Sequence, residues 1–284
     1  MLQGTGLEVA LAPTTRPGEA TDLARAAAAS GVDLVLACGG DGTLNEAING
    51  LAPSRIPLGI LPGGTANILA RELCLPQSPV AAARQFRNWS PRRIALGRAR
   101  WAQEPHLSGS GNLPASQPCR YFASVAGIGF DAHIVYKLSP QLKMGLGVAG
   151  YVVEAFRQLL RYTFPKFTWR VNGEEGQATF AVVHRTRLYA GWLHLAPSAG
   201  LDQPHLVVCS FASPGRARYL LYALAVLTRQ HLRLGDVRLA PGTEVCCLPP
   251  DNKTPVRFEL DGELAGALPA TFEIVPDALT LLAP

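Results

Sequence analysis

Two kinds of hydrophobic pattern divide the chain near residue 91. In the first part, short and nearly continuous apolar runs alternate with segments in which apolar residues recur every three or four positions. The predicted strands cover residues 7–11, 32–37 and 56–61, and the predicted helices cover residues 19–30, 44–51, 68–73 and 78–89. Such alternation is typical of a parallel sheet with helices on both faces. We therefore predict a three-layer α/β domain over residues 1–91.

After residue 91 the pattern changes to short strands separated by turn signals such as Asn-Gly at residues 172–173 and Asp-Gly at residues 261–262. The predicted strands cover residues 92–101, 120–126, 167–171, 177–186, 206–211, 237–239, 245–248, 256–260 and 272–275. Helical patterns interrupt them near residues 146–162 and 216–232. We predict a mainly antiparallel β-sandwich domain over residues 92–284, whose last strand can return to the first domain. Residues 103–118, rich in Pro, Gly and Ser, predict a mobile surface insertion.

Two glycine-rich loops follow strands of the first domain, GGDGT at residues 39–43 and PGGTAN at residues 62–67. The carboxyl ends of parallel strands share one edge of the sheet, where open α/β folds bind ligands. Glycines let a phosphate approach the backbone, and the N–H groups at a helix start supply donors. Asp41 would repel phosphates unless Mg²⁺ or a sugar hydroxyl lies between them. The alternative is a plain turn in which Asp41 caps a helix.

A second group of candidate residues lies in the later part of the chain. In ELDGE at residues 259–263, Asp261 and Glu263 are two positions apart, which on an extended chain puts both carboxylates on one side. Such a pair can separate its pKa values, so that one member acts as a base. The alternative is a solvated acidic hairpin tip. GIGFDA at residues 127–132 has the form of a dinucleotide fingerprint, but no acidic residue ends the next strand.

Composition limits the kinds of partner and the cellular compartment that we expect for this protein. The 284 residues carry a formal net charge of +5 with a pI near 9.0, which suits a nucleotide, a nucleic acid or an acidic membrane surface. Six cysteines without a C-x-x-C pair indicate reduced thiols in an intracellular protein. No signal-peptide pattern is present, and the longest apolar run, residues 219–227, is shorter than the ~20 residues a bilayer span needs. We expect a cytoplasmic protein whose membrane contact is peripheral. The arginines that flank the two later helical patterns form either a solvated face or a membrane-facing one.

Four motifs occur together in one order: GGDGTLNEAINGL at residues 39–51, LPGGTANILARELCLP at 61–76, AGIGFDA at 126–132 and ELDGE at 259–263. Together they closely resemble the diacylglycerol kinase catalytic domain family, which includes bacterial lipid kinases and sphingosine kinases. The resemblance implies an ATP-dependent lipid kinase that phosphorylates a lipid hydroxyl, as on diacylglycerol or a sphingoid lipid. It also implies an active site in the cleft between a nucleotide-binding α/β domain and a β-sandwich domain.

The resemblance assigns roles residue by residue. It implies nucleotide binding by Thr14, Gly39, Gly40, Asp41, Gly42, Thr43, Leu44, Asn45, Gly64, Thr65 and Asn67. It implies a catalytic role for Asp261 and Glu263, with Glu263 favoured as the base that accepts the proton of the lipid hydroxyl. ATP and Mg²⁺ are the implied cofactors, because phosphoryl transfer depends on positioning and charge neutralisation. The expected partners are ATP and a lipid at a membrane surface, with a homodimer left open and no nucleic acid.

Three departures from the family pattern qualify these roles. The chain begins just after the point where family members have a strand ending in N-P-x-x-G, so we expect a truncated start or a missing first strand, with weaker nucleotide affinity. Ile68 follows Asn67 where the family often has an aspartate. Residues 201–206, LDQPHL, stand where some members hold a structural Mg²⁺ with an acidic D-G-x-L segment. We expect that metal site to be absent and assign no metal ligands.

Two other functions stay open on sequence grounds. NAD kinases and phosphofructokinases share a GGDGT loop, so a kinase of a soluble metabolite is an alternative. The second alternative is a nucleotide-binding or lipid-binding relative without catalytic activity.

Overall fold

The structure is a computed structural model that describes residues 6–102, 118–137, 148–250 and 254–284. The mobile insertion predicted at residues 103–118 lies, apart from its last residue, outside the described residues. The chain forms two compact units, one of Met1–Ile94 with Asp277–Pro284 and the other of Ala95–Pro276. Two long strands, β3 (Ser90–Trp101) and β16 (Ala270–Ala283), continue from one unit into the other.

The first unit contains a parallel sheet. Strand β1 (Val35–Gly39) pairs in parallel with β2 (Pro57–Pro62), with Val35 opposite Leu58 and Gly39 opposite Pro62. On the other side of β2, the end of β16 also pairs in parallel, with Thr280 opposite Pro57. The helices of this unit are α1 (Glu19–Ser30), α2 (Asp41–Leu51), α3 (Ile68–Glu72) and α4 (Pro79–Gln85). The predicted α/β class is therefore present.

Local chemistry explains where these helices begin and how closely they pack. Ser78 caps α4 by accepting a hydrogen bond from the amide of Ala81, and Pro79 occupies the first turn. Helices α1 and α2 pack closely at Gly50: a Cβ at this position would lie 2.4 Å from the carbonyl oxygen of Thr21. The α1–α2 contact therefore depends on the absence of a side chain at residue 50.

The strand predicted at residues 7–11 is wrong. These described residues form no strand, and the side chain of Leu11 is 82% exposed. An apolar run becomes a strand only where a neighbouring strand pairs with its backbone groups. Apolar character alone was therefore an insufficient signal at this position.

The second unit is an antiparallel β-sandwich. One sheet has the order β12-β11-β8-β5-β14-β15, and its neighbours are all antiparallel. Its strands are β5 (Val125–Gly129), β8 (Phe180–His184), β11 (Leu206–Phe211), β12 (Val237–Gly242), β14 (Arg257–Leu260) and β15 (Glu263–Ala267). The facing strands are the start of β16 with β4 (Cys119–Phe122), β6 (Phe167–Val171), β7 (Glu174–Ala178) and β13 (Glu244–Leu248). Side chains of both sets fill one core, which includes Phe122, Trp169, Phe258 and Phe272.

Three helices cover the six-stranded sheet through a second core. They are α5 (Phe130–Lys137), α6 (Val148–Arg161) and α7 (Arg216–Leu227), so both predicted later helices are present. Buried aromatic residues of α5 and α7, together with Leu159 of α6, pack against side chains of β8 and β11. A short hairpin of β9 (Leu188–Tyr189) and β10 (Leu193–His194) also contributes side chains to this core.

Candidate active site

The two glycine loops of the first unit are in direct contact. The amide of Gly63 donates a 2.8 Å hydrogen bond to the carbonyl of Gly39. A Cβ on Gly64 would lie only 2.6 Å from the Cα of Gly40, so no larger residue fits there without movement of the backbone. The structure thus brings Gly39, Gly40 and Gly64 together at the carboxyl ends of β1 and β2, as the strand order predicted.

Asp41 holds the second loop in place. It is the first residue of α2, but its carboxylate accepts hydrogen bonds from the amides of Asn67 (2.9 Å) and Ile68 (2.7 Å) at the start of α3. Asp41 therefore acts as a helix cap, which was the alternative considered for it from the sequence. The helix that Asp41 caps is α3, however, and not α2, to which it belongs. Asp41 connects the two loops, which makes it a positioning residue for any ligand held between them.

Asn67 braces its own loop with both ends of its amide group. It has a left-handed backbone (φ 47°), its Oδ1 accepts from the amide of Gly64 at 2.9 Å, and its Nδ2 donates to the Gly64 carbonyl at 2.8 Å. The side chain is buried. Asn67 therefore shapes the loop, while the neighbouring Thr65 side chain is exposed at the surface.

In the first turn of α2, the backbone amides are more available to a ligand than the side chains of Leu44 and Asn45 that follow. Asp41, Gly42 and Thr43 are partly exposed, and the first amides of a helix have no partner within that helix. By contrast, Leu44 is buried and its amide already donates to the Gly40 carbonyl at 3.1 Å. Asn45 is 1% exposed, and its Oδ1 accepts a hydrogen bond from Nδ2 of Asn49 at 3.2 Å. The side chains of Leu44 and Asn45 thus stabilise the helix. Because both side chains are buried, we do not expect them to contact a nucleotide directly.

The turn that contains Thr14 is organised by two glutamates. The carboxylate of Glu19 accepts from the amide of Thr15 at 2.6 Å, and these contacts hold the pKa of Glu19 below its usual value. Glu46 on α2 accepts from the amides of Gly18 (2.8 Å) and Ala20 (3.1 Å) at the start of α1. Thr14 itself is exposed. Glu46 belongs to the GGDGTLNE stretch, but sequence reasoning assigned it no role.

The acidic turn in the second unit differs from the expected extended pair. Asp261 has a left-handed backbone (φ 50°), so the alternation that would put Asp261 and Glu263 on one side does not apply. The Asp261 carboxylate is buried and accepts hydrogen bonds from three consecutive amides at 2.8–3.0 Å, those of Ala123, Ser124 and Val125. Asp261 therefore anchors the turn to the start of β5 and acts as a positioning residue.

Glu263 is the more accessible carboxylate of the turn. Its side chain is 34% exposed, and its Oε2 accepts a 2.5 Å hydrogen bond from the guanidinium of Arg120 on β4. A charge-assisted bond of this kind fixes the direction in which the carboxylate points. Glu263 is therefore the carboxylate of this turn that we consider as a proton acceptor, with Arg120 as its orienting partner.

A second carboxyl pair, which sequence reasoning missed, lies close to this turn. The carboxyl groups of Glu259 and Asp131 lie next to one another at Gly127, where a Cβ would lie 2.0 Å from Asp131 Oδ2 and 2.5 Å from Glu259 Oε1. Glu259 also accepts from the amides of Gly127 and Gly262. The hydroxyl of Tyr189 donates to Asp131 at 2.6 Å. This arrangement explains the first glycine of AGIGFDA, because that glycine leaves the space that both carboxyl groups occupy.

Burial makes this pair unusually basic. It raises the pKa of Asp131 to about 6, against the opposing effect of the Tyr189 and Glu259 hydrogen bonds. The pKa of Glu259 is raised well above its usual value by burial and by the charge of Asp131. Two adjacent buried carboxyl groups avoid repulsion by sharing a proton. The available sequence signal was the position of Glu259 inside an otherwise apolar strand.

The loop at the start of residues 201–206 is held by an arginine. Arg185 is fully buried, and its guanidinium donates to the carbonyls of Ala95 (3.0 Å), Gly200 (2.6 Å) and Leu201 (2.5 Å). Across the described residues, no group of three or more His, Cys, Asp or Glu side chains is arranged to hold a metal ion. No helix among the described residues is long and apolar enough to cross a membrane.

Comparison with known families accounts for both units. The family described as "Diacylglycerol kinase catalytic domain" matches residues 1–99, and the one described as "YegS C-terminal NAD kinase beta sandwich-like domain" matches residues 124–283. The diacylglycerol kinase of Mycobacterium tuberculosis H37Rv is 30% identical over 270 residues, which cover 94% of this chain and 82% of that protein. The diacylglycerol kinase of Bacillus subtilis strain 168 is 29% identical over 272 residues, with 94% and 83% covered.

A solved structure shows the same fold. The crystal structure of a diacylglycerol kinase from Bacillus anthracis str. Sterne superposes with a TM-score of 0.68 at 22% identity, covering 95% of this chain and 84% of that one. The predicted combination of an α/β domain and an antiparallel β-sandwich domain is therefore confirmed. With both family matches in sequence order and relatives aligned along most of its length, the chain belongs to the diacylglycerol kinase catalytic domain family of ATP-dependent lipid kinases.

Proposed function

We propose that this protein transfers the γ-phosphate of ATP, as its Mg²⁺ complex, to the free hydroxyl of diacylglycerol. The observation that carries the proposal is the direct contact of the two glycine loops at the carboxyl ends of parallel strands. The first amides of α2 lie at this contact, where they can bind phosphate. The choice of diacylglycerol rests on the names of the relatives from B. subtilis and M. tuberculosis.

The donor is assigned to the first unit. Because Gly39, Gly40, Gly42 and Gly64 have no side chains, the phosphates of ATP would approach the backbone closely. Thr43 and Thr65 supply hydroxyl donors at the same loops. Asp41 and Asn67 keep the loops in register through the hydrogen bonds described above. Thr14 would contact the nucleotide from the turn held by Glu46, and Leu44 and Asn45 would support α2 from inside.

Mg²⁺ fits the donor chemistry at this edge of the sheet. The carboxylate of Asp41 and the hydroxyl of Thr43 lie within one turn of α2, and both are oxygen ligands of the kind that Mg²⁺ takes. The ion usually keeps several waters and binds through one or two protein oxygens together with the phosphates. When bound, it would neutralise the charge that develops on the transferred group.

The acceptor is assigned to the second unit. As the lipid oxygen forms its bond to the γ-phosphorus, the bond from that phosphorus to the β–γ bridging oxygen breaks and ADP leaves. Glu263 takes the proton of the hydroxyl, Arg120 keeps its carboxylate oriented, and Asp261 holds the turn through three backbone amides. Because the substrate resides in a bilayer, we also infer that the protein associates peripherally with a membrane surface. A homodimer remains a prediction that light scattering tests.

The test is transfer of label from γ-labelled ATP to diacylglycerol in phospholipid vesicles. We expect Glu263→Gln to lower kcat by at least about 100-fold with little change in the KM for ATP, because only the proton acceptor is removed. Glu174→Gln, at an exposed glutamate of β7, is the matched control and should retain activity. Omission of Mg²⁺ should abolish transfer.

Two outcomes would decide for the alternatives. Label that appears only in a water-soluble product would indicate a metabolite kinase. If the wild-type protein labels no lipid at all while it still binds ATP, it is a nucleotide-binding relative without kinase activity. Full activity in Glu263→Gln would remove this residue as the base.

A further inference from the structure

Helix α6 has the reverse of the usual amphipathic arrangement. Val152, Phe156 and Leu160 form a stripe at four-residue spacing and are 58–63% exposed. On the opposite side, Glu154 and Gln158 are each only 5% exposed. A helix at the surface of a water-soluble domain normally places apolar side chains inside and polar ones outside. The exposed stripe of α6 therefore faces water at a cost, unless something apolar covers it.

The inward polar residues of α6 are satisfied inside the unit. The amide of Gln158 donates to Glu154 at 2.5 Å, and its oxygen lies 3.1 Å from Nε2 of His133 on α5. Leu159, on the same side, packs into the aromatic core with Tyr162. The orientation of α6 is thus set by specific buried contacts, and the exposure of its apolar stripe follows from that orientation.

Helix α7 presents a second apolar stripe. Leu220, Leu224 and Leu227 recur at spacings of four and three residues and are 55–58% exposed. The opposite face of α7 packs into the same aromatic core as α6, through Tyr219 and Tyr222. The two helices are in contact with each other. We call the six side chains of these two stripes the apolar helix surface.

Exposed arginines lie at the ends of the two helices. Arg161 ends α6, Arg216 begins α7, and Arg229 and Arg233 follow the end of α7, all with exposed side chains. Apolar side chains with cations around them match the boundary of an anionic bilayer, where acyl chains lie beneath negative headgroups. A two-fold contact with a second copy would instead bring exposed arginines of both copies into one interface, where like charges repel. The charges therefore favour a lipid surface over self-association.

We propose that the apolar helix surface docks on an anionic lipid bilayer, with its aliphatic and aromatic side chains at the level where headgroups meet acyl chains. The inference rests on the proposed function, because a kinase of a membrane lipid must reach a hydroxyl at the bilayer surface. It adds the surface that makes the contact and the lipid charge that the surface recognises.

The experiment is co-sedimentation of the whole protein with vesicles of phosphatidylcholine alone or mixed with phosphatidylglycerol. We expect binding to the mixed vesicles that weakens with salt, and a loss of at least about tenfold in Phe156→Glu and in Leu224→Glu, because each places a charge at the acyl boundary. Val80→Glu is the matched control, since Val80 is also an exposed apolar residue, on α4 of the first unit. Arg229→Gln with Arg233→Gln should weaken binding to the mixed vesicles only.

Two outcomes would overturn the proposal. One is binding of Phe156→Glu and Leu224→Glu at the wild-type level with unchanged thermal unfolding. Another is a dimer in light scattering that both variants dissociate while vesicle binding persists, since the surface would then be an interface between copies. Should a glutamate variant unfold, Phe156→Gln and Leu224→Gln replace it and are expected to show a smaller loss in the same direction.

Failure of the docking surface can be distinguished from failure of the proposed function. The variants should keep wild-type activity on a short-chain diacylglycerol dispersed as monomers and lose it only on vesicles. If the wild-type protein binds anionic vesicles but phosphorylates no lipid, the docking surface stands and the proposed function fails. If it phosphorylates the short-chain substrate but never binds vesicles, the docking surface alone fails.

Discussion

At the scale of single residues, the buried carboxyl pair of Asp131 and Glu259 should make the stability of the fold depend on pH. Asp131 has a pKa raised to about 6, and the pKa of Glu259 is raised well above its usual value. A raised pKa means that the folded protein binds the proton more tightly than the unfolded chain does. The stability that protonation of Asp131 contributes is therefore fully present below about pH 4 and is lost as the pH rises through about 6.

Asp131→Asn tests this pH dependence. The asparagine oxygen can still accept from Tyr189, and its amide can donate to Glu259, so the variant mimics the protonated pair at every pH. We expect the variant to be more stable than the wild type above pH 7 by about 1–2 kcal/mol, with the difference vanishing near pH 4. Thermal or denaturant unfolding at a series of pH values measures it. A difference that does not vary with pH would contradict proton sharing.

Gly127→Ala tests the space that the pair requires. The added Cβ would lie 2.0 Å from Asp131 Oδ2, so one of the carboxyl groups must move away from its partners. We expect a loss of about 2–3 kcal/mol in the free energy of unfolding, measured by denaturant titration. Gly235→Ala is the control, because a Cβ there has no heavy atom within 4 Å. Equal stability of the two variants would show that the carboxyl groups do not occupy this position.

At the scale of elements, loops in both units are held by side chains from distant parts of the chain. Asp41 caps α3 from 26 and 27 residues away, Glu46 holds the start of α1, and Asp261 fixes the start of β5 across 138 residues. Arg185 joins β3 to the loop at residues 200–201 in the same manner. These contacts position glycine loops and turns that could not be rigid by themselves.

Arg185→Met is the corresponding test at this scale. Three carbonyl oxygens would lose a charged donor in a buried site, so we expect a loss of about 3 kcal/mol or more in the free energy of unfolding. Arg185→Lys should recover only part of it, because an ammonium group cannot reproduce the planar fork of donors. Denaturant unfolding of the three proteins measures the series. If methionine were tolerated without loss, the loop would not depend on this arginine.

At the scale of the whole molecule, the two units carry different parts of the proposed reaction. The glycine loops lie in the first unit, and the acidic turn, the carboxyl pair and the apolar helix surface lie in the second. The two matched families divide the chain in the same order, with residues 1–99 and 124–283. The boundary predicted at residue 91 stays a prediction about domains, while the strands β3 and β16 belong in part to each compact unit.

The features that could be read from the sequence are local ones. Apolar periodicity predicted the parallel strands β1 and β2, the two later helices and most sandwich strands, because the periodicity of a helix or strand is repeated within a few residues. Glycine spacing predicted the two loops for the same reason. The strand at residues 7–11 failed, since pairing with a neighbouring strand is not a local property.

The partner of each polar side chain was decided only in three dimensions. Asp261 appeared equivalent to Glu263 in the motif, yet it is bound by three amides of residues 123–125, whereas Glu263 meets Arg120. Asp131 and Glu259 are 128 positions apart, so their shared proton arises only when β5 and β14 pair. The reversed face of α6 is likewise set by His133 and by the aromatic core. Local patterns thus specify which elements form, while hydrogen-bond partners, pKa values and exposed faces depend on packing between distant segments.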